Sequence, residues 1–395
     1  MWGLKKLTID QIKNSETVDW LHAVSYGETK VCLNFIRKGL EAEQLNKPIL
    51  FTSTIQDSIN YFEKGMRELR VIYPDVRWNC FFMILDFKPS ISRFIGLKKI
   101  RYFFLFETDF WPATIFYLKS KGVKIYLING RISYKLANFY SKFPHYSTQL
   151  FNSFSHLFVQ SDTDASRLSD LGVSSSRISH VGNAKFDFLG NFEDSWKGST
   201  SNSETLKIIL LGSWHNNEVN VIDHIHAALP PGYQIWIAPR VPDNLDQFVS
   251  KINQLKASYS KYSELNSKST SIRFVIVDSM GLLSKLYQYC ELAVIGGSFN
   301  KVGGHNFVEP LIFKKPVIVG PYMRNFQDDI QEFLKAGLIN QAKDQLHLKQ
   351  IIKHHVTNPK ILQLQAQKAF RHLETKMGSL EFTWNQIIRE NLKSS

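Results

Sequence analysis

Short apolar runs of strand length alternate along the chain with stretches in which apolar positions recur every three or four residues. Val18–Ser25, Pro48–Thr54, Arg101–Glu107, Val123–Asn129, His156–Gln160 and Ile178–Val181 read as strands, with helices such as Thr29–Leu45 and Pro112–Lys121 between them. This alternation predicts a parallel sheet covered by helices on both faces. From Gly190 to Glu204 the chain becomes Ser-, Gly- and Asn-rich and loses its periodicity, which reads as a linker. The pattern then restarts with Lys207–Gly212, Tyr233–Ala238, Ile272–Val277, Leu292–Gly296 and Pro316–Val319 as strands, and the tail Pro359–Asn391 is helical. The expected architecture is α/β: a domain over 1–190, a linker over 191–205, a second domain over 206–375, and a C-terminal helix in 376–395 packing back on the first domain. Two parallel sheets joined this way imply a deep cleft between domains, walled by the loops that follow strands.

Composition changes this picture little. Of 395 residues, 44% are hydrophobic and 21% charged, ordinary for a globular protein and unlike a disordered or fibrous one. Cys32, Cys80 and Cys290 are odd in number and far apart, which argues against a disulfide framework and for a reducing, cytoplasmic setting. The first residues, Met1 to Leu7, have no apolar run of signal-peptide length, and no uncharged run is long enough to predict a spanning helix. Charge is more informative. The net charge is +13, and between Ser58 and Leu150 there are 15 Lys and Arg against 6 Asp and Glu. Such a field favours an anionic partner: nucleic acid, anionic lipid or a phosphorylated substrate. The same region holds Phe81, Phe82, Phe87, Phe94, Phe103, Phe104, Phe110 and Trp111. Phe94 to Lys99 reads as a basic amphipathic helix, and these aromatics either face an anionic membrane or belong to the core.

Candidate chemistry clusters where predicted strands end. Ser25-Tyr26-Gly27-Glu28 leads into a helix; Glu28 is either a carboxylate base for a hydroxyl nucleophile or the acidic member of a capping box. Glu107-Thr108-Asp109-Phe110-Trp111-Pro112 opens the next helix with Pro, and its two carboxylates exceed what a cap needs. Arg131 in Asn129-Gly130-Arg131 and Lys185 in Gly182-Asn183-Ala184-Lys185-Phe186-Asp187 can each meet a carboxylate or phosphate, or face solvent. In the second half, Gly212-Ser213-Trp214-His215 and Pro239-Arg240 end strands with amides, a hydroxyl and a guanidinium. Gly296-Gly297-Ser298 followed by Gly303-Gly304-His305-Asn306-Phe307-Val308-Glu309-Pro310 brings four glycines ahead of a helix expected from Asn306. Its free N–H groups suit a phosphate and Glu309 suits a ribose diol, or Asn306-x-x-Glu309 is simply another capping box. Asp162-Thr163-Asp164 reads as a helix cap rather than a metal motif, and His354-His355 lacks a carboxylate at ligand spacing.

Taken in order, these segments resemble the 3-deoxy-D-manno-octulosonic acid (Kdo) transferases of lipopolysaccharide synthesis. The resemblance rests on His22-Ala23-Val24-Ser25-x-Gly27-Glu28, Glu107-Thr108-Asp109-x-Trp111-Pro112, Leu127-Ile128-Asn129-x-Arg131-x-Ser133, Gly182-Asn183-x-Lys185-Phe186-Asp187, Gly212-Ser213-x-His215, Pro239-Arg240, and Gly296 through Pro310. It implies a GT-B glycosyltransferase with two Rossmann-like domains, the first binding acceptor and the second CMP-Kdo. It further implies inverting, metal-independent transfer of Kdo to a lipid A precursor of lipid IVA type. The implied setting is peripheral, on the cytoplasmic face of the bacterial inner membrane. By motif, Glu28 is the implied base and Glu107 a second catalytic residue, and Glu107, Arg131 and Lys185 fall at cleft positions that contact Kdo or the phosphate. Ser213, His215, Arg240, Gly303, Gly304, Asn306 and Glu309 fall at nucleotide-binding positions, and neither a metal nor another cofactor is implied. The chain departs from the family pattern at Val241, where His is usual, and at Trp214 and Asn216-Asn217.

Competing classes explain less. Another GT-B transferase with a different nucleotide sugar would share the fold and be inhibited by a different nucleotide. A two-domain solute-binding protein would share the sheets but has no need of a base at Glu28. A nucleic-acid-binding protein would account for the charge, but the chain has no RNP pattern, helix-turn-helix or zinc module.

Overall fold

The computed structural model describes residues 16–96, 98–187, 207–241, 245–265, 271–279 and 281–392; the linker expected at 191–205 lies outside them. The chain divides into two compact units, residues 1–187 with 376–395, and residues 188–375.

The first unit is built on a seven-stranded sheet. Its strands are β1 (Thr17–His22), β2 (Ile49–Ser53), β3 (Trp78–Phe82), β4 (Lys99–Phe106), β5 (Lys124–Gly130), β6 (His156–Val159) and β7 (Ile178–His180), in the order β3-β2-β1-β4-β5-β6-β7. Every pairing is parallel. Alternate side chains go to opposite faces, and both faces are buried, which is why these strands read as unbroken apolar runs. Leu21, Phe51, Phe104, Tyr126 and Phe158 pack under the Tyr26–Glu41 and Gln56–Ile72 helices. Trp20, Leu50, Phe103, Leu105, Ile125 and Leu157 pack on the other side. The Ser379–Leu392 helix contributes Leu380, Trp384 and Ile387 to the first of these cores, where the Trp384 indole stacks on Phe35 and its N–H donates to the Phe35 carbonyl at 2.8 Å.

The second unit repeats the plan with β8 (Lys207–Trp214), β9 (Tyr233–Pro239), β10 (Tyr259–Lys261), β11 (Phe274–Ile276), β12 (Leu292–Ile295), β13 (Val317–Val319) and β14 (Asn340–Gln341), in the order β10-β11-β9-β8-β12-β13-β14. All of its pairings are also parallel. In both sheets the strand order reverses beside the first strand, between β1 and β4 and between β8 and β12. The crevice at such a reversal is where open α/β sheets bind ligands.

Two expectations are corrected. The sheets hold three strands the apolar pattern does not announce, β3, β10 and β14, and each lies at a sheet edge. An edge strand has one neighbour and buries less, so its apolar signal is weak. The basic helix expected over Phe94–Lys99 does not exist: a helix runs Lys88–Ile95, Gly96 ends it at φ +59°, and Lys99 begins β4. Phe103 and Phe104 are fully buried, and Phe81, Phe94, Phe110 and Trp111 pack against the core. Among the described residues no helix is long and apolar enough to cross a membrane.

Candidate active site

Glu28 stands one turn into the Tyr26–Glu41 helix, directly after β1. The cap reading of Ser25-x-x-Glu28 is met by two hydrogen bonds. The Ser25 hydroxyl accepts from the Glu28 N–H at 3.2 Å, and Glu28 Oε2 accepts from the Val24 N–H at 2.8 Å. Only 8% of Glu28 is exposed, and burial, then the charges of Glu107 and Asp109, push its carboxyl up from an ordinary 4.5 to about 7. A carboxyl poised near neutrality can take a proton from a hydroxyl and give it up again.

Glu107 follows β4, on the other side of the strand reversal. Its backbone has φ +59°, as has Asn129, at φ +54°, at the end of β5. Non-glycine residues hold such conformations only where the surroundings impose them. Here Glu107 is fixed through its N–H to Ile128 and its carbonyl to the Arg131 N–H. Asn129 donates to Glu107 Oε1 at 3.3 Å, accepts from the Ala184 N–H at 2.9 Å, and receives Gln160 on its own carbonyl at 2.9 Å. Lys185 lies on a 3-10 turn, Ala184–Phe186, whose start is capped by the Asn183 side chain. Its Nζ meets Glu107 Oε1 at 2.7 Å. The structure thus brings Glu28, Glu107 and Lys185 to one sheet edge. Arg131 follows β5 there, half-buried; burial raises the Asp164 carboxyl, and the Arg131 charge is among the influences opposing that rise.

Trp111 forms part of the same edge. Its indole N–H can only donate, so it fixes His22 Nε2, at 2.9 Å, as acceptor. The His22 proton then sits on Nδ1, which meets the Thr52 hydroxyl at 2.9 Å, where Trp20 also donates. Burial drives His22 down to about 3, so the ring is neutral. The Pro112–Ser120 helix is capped from a distance by Asp86, which accepts from the N–H groups of Ala113 and Thr114 and from the Thr114 hydroxyl. That leaves Glu107 and Asp109 free of the capping task. Asp164 lies in the first turn of a helix that Ser161 caps, its hydroxyl accepting from the Asp164 N–H at 3.1 Å, while the Asp164 carboxylate accepts from the Ser161 hydroxyl and from the Ile132 N–H at 2.7 Å.

In the second unit the turn after β8 and the glycine loop after β12 are joined by Glu218. Its buried carboxylate accepts from the N–H groups of His215 (3.0 Å), Gly297 (2.8 Å) and Phe299 (2.9 Å). The motif reading passes over this residue, although the spacing His215-x-x-Glu218 is that of a cap. Ser213 has φ +57°. His215 Nε2 and His305 Nε2 meet at 2.7 Å with their rings nearly parallel, and one ring donates to the other. Burial and the nearby Arg240 charge lower both, His305 to about 4. Arg240 itself is exposed, its N–H bonded to the Trp214 carbonyl at 2.8 Å. Gly296 lies against the Ser213 carbonyl so closely that a Cβ would collide with it.

Three details differ from the motif reading. The N–H groups of Gly303 and Gly304 are already bonded to the Gly297 carbonyl. The helix after them spans only Val308–Ile312, and Asn306 Oδ1 takes the Val308 N–H at 2.9 Å. Glu309 accepts from Ser284 at 2.8 Å and from Asn306 at 3.3 Å. The loop is therefore a preordered frame, with Ser213, His215, Arg240 and His305 gathered at its edge.

Residues 3–188 match the family model described as 3-Deoxy-D-manno-octulosonic-acid transferase (kdotransferase). The chain is 29% identical over 349 residues to a bifunctional glycosyltransferase/methyltransferase of Fusobacterium nucleatum, covering 86% of this chain but 53% of that protein, so it spans about half that relative's length. It is 27% identical over 317 residues to the 3-deoxy-D-manno-octulosonic acid transferase of Haemophilus influenzae, covering 78% of this chain and 72% of that enzyme. The fold is like that of the UDP-GlcNAc 2-epimerase from Neisseria meningitidis, with a TM-score of 0.63 at 11% identity over 95% of this chain and 100% of the other. The likeness read from the motifs is thereby borne out: residues 3–188 belong to the 3-deoxy-D-manno-octulosonic-acid transferase (kdotransferase) family, in a chain whose resemblance to that family's enzymes continues beyond them.

Proposed function

We propose that this protein transfers Kdo from CMP-Kdo to a lipid A precursor of lipid IVA type, with inversion and without a metal. The observation that carries the reading is Glu28: a buried carboxyl at about 7, at the strand reversal, beside the Glu107–Lys185 ion pair. In the proposed step an acceptor hydroxyl oxygen bonds to the anomeric carbon of Kdo as the bond from that carbon to the phosphate oxygen breaks. The hydroxyl proton passes to Glu28, and CMP leaves with the bonding electrons. Attack from the face opposite the leaving group inverts the centre. Kdo carries a carboxylate, for which Arg131 and Lys185 supply cations. The second unit is assigned the nucleotide, with Arg240 and the Ser213–His215 turn answering the phosphate charge in place of a metal ion. Incubation with CMP-Kdo and a tetraacylated precursor, read by mass spectrometry, tests the reading. One or more added Kdo units, insensitivity to EDTA and inhibition by CMP but not UDP are expected. An unmodified acceptor, or protection by UDP alone, overturns it.

We assign the acceptor side to an anionic membrane surface at the cytoplasmic face. Support comes from apolar side chains left exposed on the first unit, Leu85 and Phe87 ahead of the Lys88–Ile95 helix, and Tyr134, Phe139 and Phe143 around the Tyr134–Tyr140 helix. Lys88, Lys135 and Lys142 are interleaved with them. Aromatic anchors with basic neighbours suit a headgroup boundary. Co-sedimentation with anionic vesicles should be lost in a Phe139→Glu, Phe143→Glu double variant; equal sedimentation of the variant would refute the assignment.

A further inference from the structure

Asp187 ends the turn that carries Lys185, and its carboxylate is committed to the start of the C-terminal helix. Oδ1 accepts from the N–H groups of Gly378 (2.7 Å) and Ser379 (3.2 Å); Oδ2 accepts from the Ser379 hydroxyl (3.1 Å) and the Leu380 N–H (2.6 Å). A helix cap ordinarily satisfies one or two such donors, and this one reaches across 191 residues of sequence. The same two segments touch elsewhere. Gly182 faces the Lys376 carbonyl, and Ala184 shares its core with Leu380, Trp384 and Ile387. On its other side the turn is held by the Ala184 N–H on Asn129. The Lys185 backbone is thus gripped between the end of β5 and the helix that closes the chain.

We propose that Asp187 is a positioning residue: by clasping the C-terminal helix it holds the Lys185 ammonium on Glu107 and so sets the charge state of the Glu28–Glu107 pair. This rests on the reading of that pair as the reacting centre. Among the described residues, the ionisable groups around Glu28 include Glu107 and Asp109 from the turn after β4 and the Cys32 thiol on its own helix, with Lys185 of the clasped turn paired to Glu107 and lying against Gly27. Lys185 is the cation in that set. Without it, the Glu107 and Asp109 charges act on Glu28 with no cation beside them, and the Glu28 carboxyl holds its proton more tightly.

The test is a titration of the full chain with carbon-13-labelled Glu side chains, the two carboxyl signals being assigned through Glu28→Gln and Glu107→Gln. Lys185→Met is expected to raise the Glu28 midpoint by about one pH unit. Asp187→Ala is expected to raise it in the same direction, and the double variant to go no further than Lys185→Met alone. Asp187→Ala should also lower kcat for Kdo transfer about tenfold at pH 7, with recovery at higher pH and an unchanged KM for CMP-Kdo. An unmoved midpoint in either single variant overturns the proposal. If Asp187→Ala does not fold, Asp187→Asn, which keeps one acceptor oxygen, takes its place: a smaller rise is expected and no rise is a refutation. Should the wild-type chain fail to transfer Kdo, the proposed reaction falls, while the titration still decides what Asp187 does.

Discussion

Replacing Glu28 by Gln should make the protein more stable and less active at once. The native carboxyl is raised from an ordinary 4.5 to about 7, chiefly by burial and then by the Glu107 charge. A group raised on folding contributes stability that is whole below its unfolded value and is lost as pH rises through its folded value. The window is therefore pH 4.5 to 7, and above it the ionised Glu28 weighs against the fold. That displacement, at ~1.4 kcal/mol per pH unit, amounts to about 3 kcal/mol. Gln removes the charge and keeps an oxygen for the Val24 N–H, so the variant should gain about 3 kcal/mol over wild type at pH 8.5 and little at pH 4.5. For a unit of about 200 residues this raises Tm by about 6–12 °C. Thermal unfolding followed by near-UV circular dichroism at the two pH values measures it. A Tm difference independent of pH, or a variant less stable at pH 8.5, would refute the assignment of Glu28 as a buried, near-neutral carboxyl.

Glu218→Ala strands the N–H groups of Gly297, which is buried, and of His215 and Phe299, which are part-buried, and should cost about 2–4 kcal/mol, read as a lower urea midpoint for the second unit. Gly296→Ala drives a Cβ into the Ser213 carbonyl oxygen; neither backbone can yield cheaply, so a loss of about 1–3 kcal/mol is expected, with weakened CMP binding by calorimetry. His22→Ala leaves the Trp111 indole N–H without its acceptor and opens a cavity, costing about 2–4 kcal/mol; an altered Trp emission spectrum checks it. Because His22 is lowered to about 3 from 6.5, wild type should lose stability as pH falls across that interval, and the Ala variant should lose less.

Much of the fold is legible in the sequence because parallel strands buried on both faces leave unbroken apolar runs. β1, β4 and β5 are plain for this reason. β3, whose second residue is Asn79, and the short β10 and β14 are not, since an edge strand carries little hydrophobic signal. The site is legible as residue types at strand ends, and Glu28, Glu107 and Lys185 do gather at one edge. What stays hidden is the work done by partners distant in sequence. Asp86 caps a helix 26 residues on, Glu218 joins two loops, and Asp187 clasps the C-terminal helix. A carboxylate's spacing names its neighbours along one helix; only folding names those across the sheet. The Phe94–Lys99 segment misleads for a related reason: its amphipathic pattern straddles Gly96, whose left-handed backbone ends the helix before the lysines arrive.

The account stands most directly on the turnover of Glu28→Gln with saturating CMP-Kdo and lipid precursor at pH 8, measured beside CMP affinity. Losing the base should lower kcat by about 10²–10⁴-fold and leave CMP affinity within a factor of about two, since the nucleotide is assigned to the other unit. Turnover close to that of wild type would remove Glu28 from the chemistry and contradict the account.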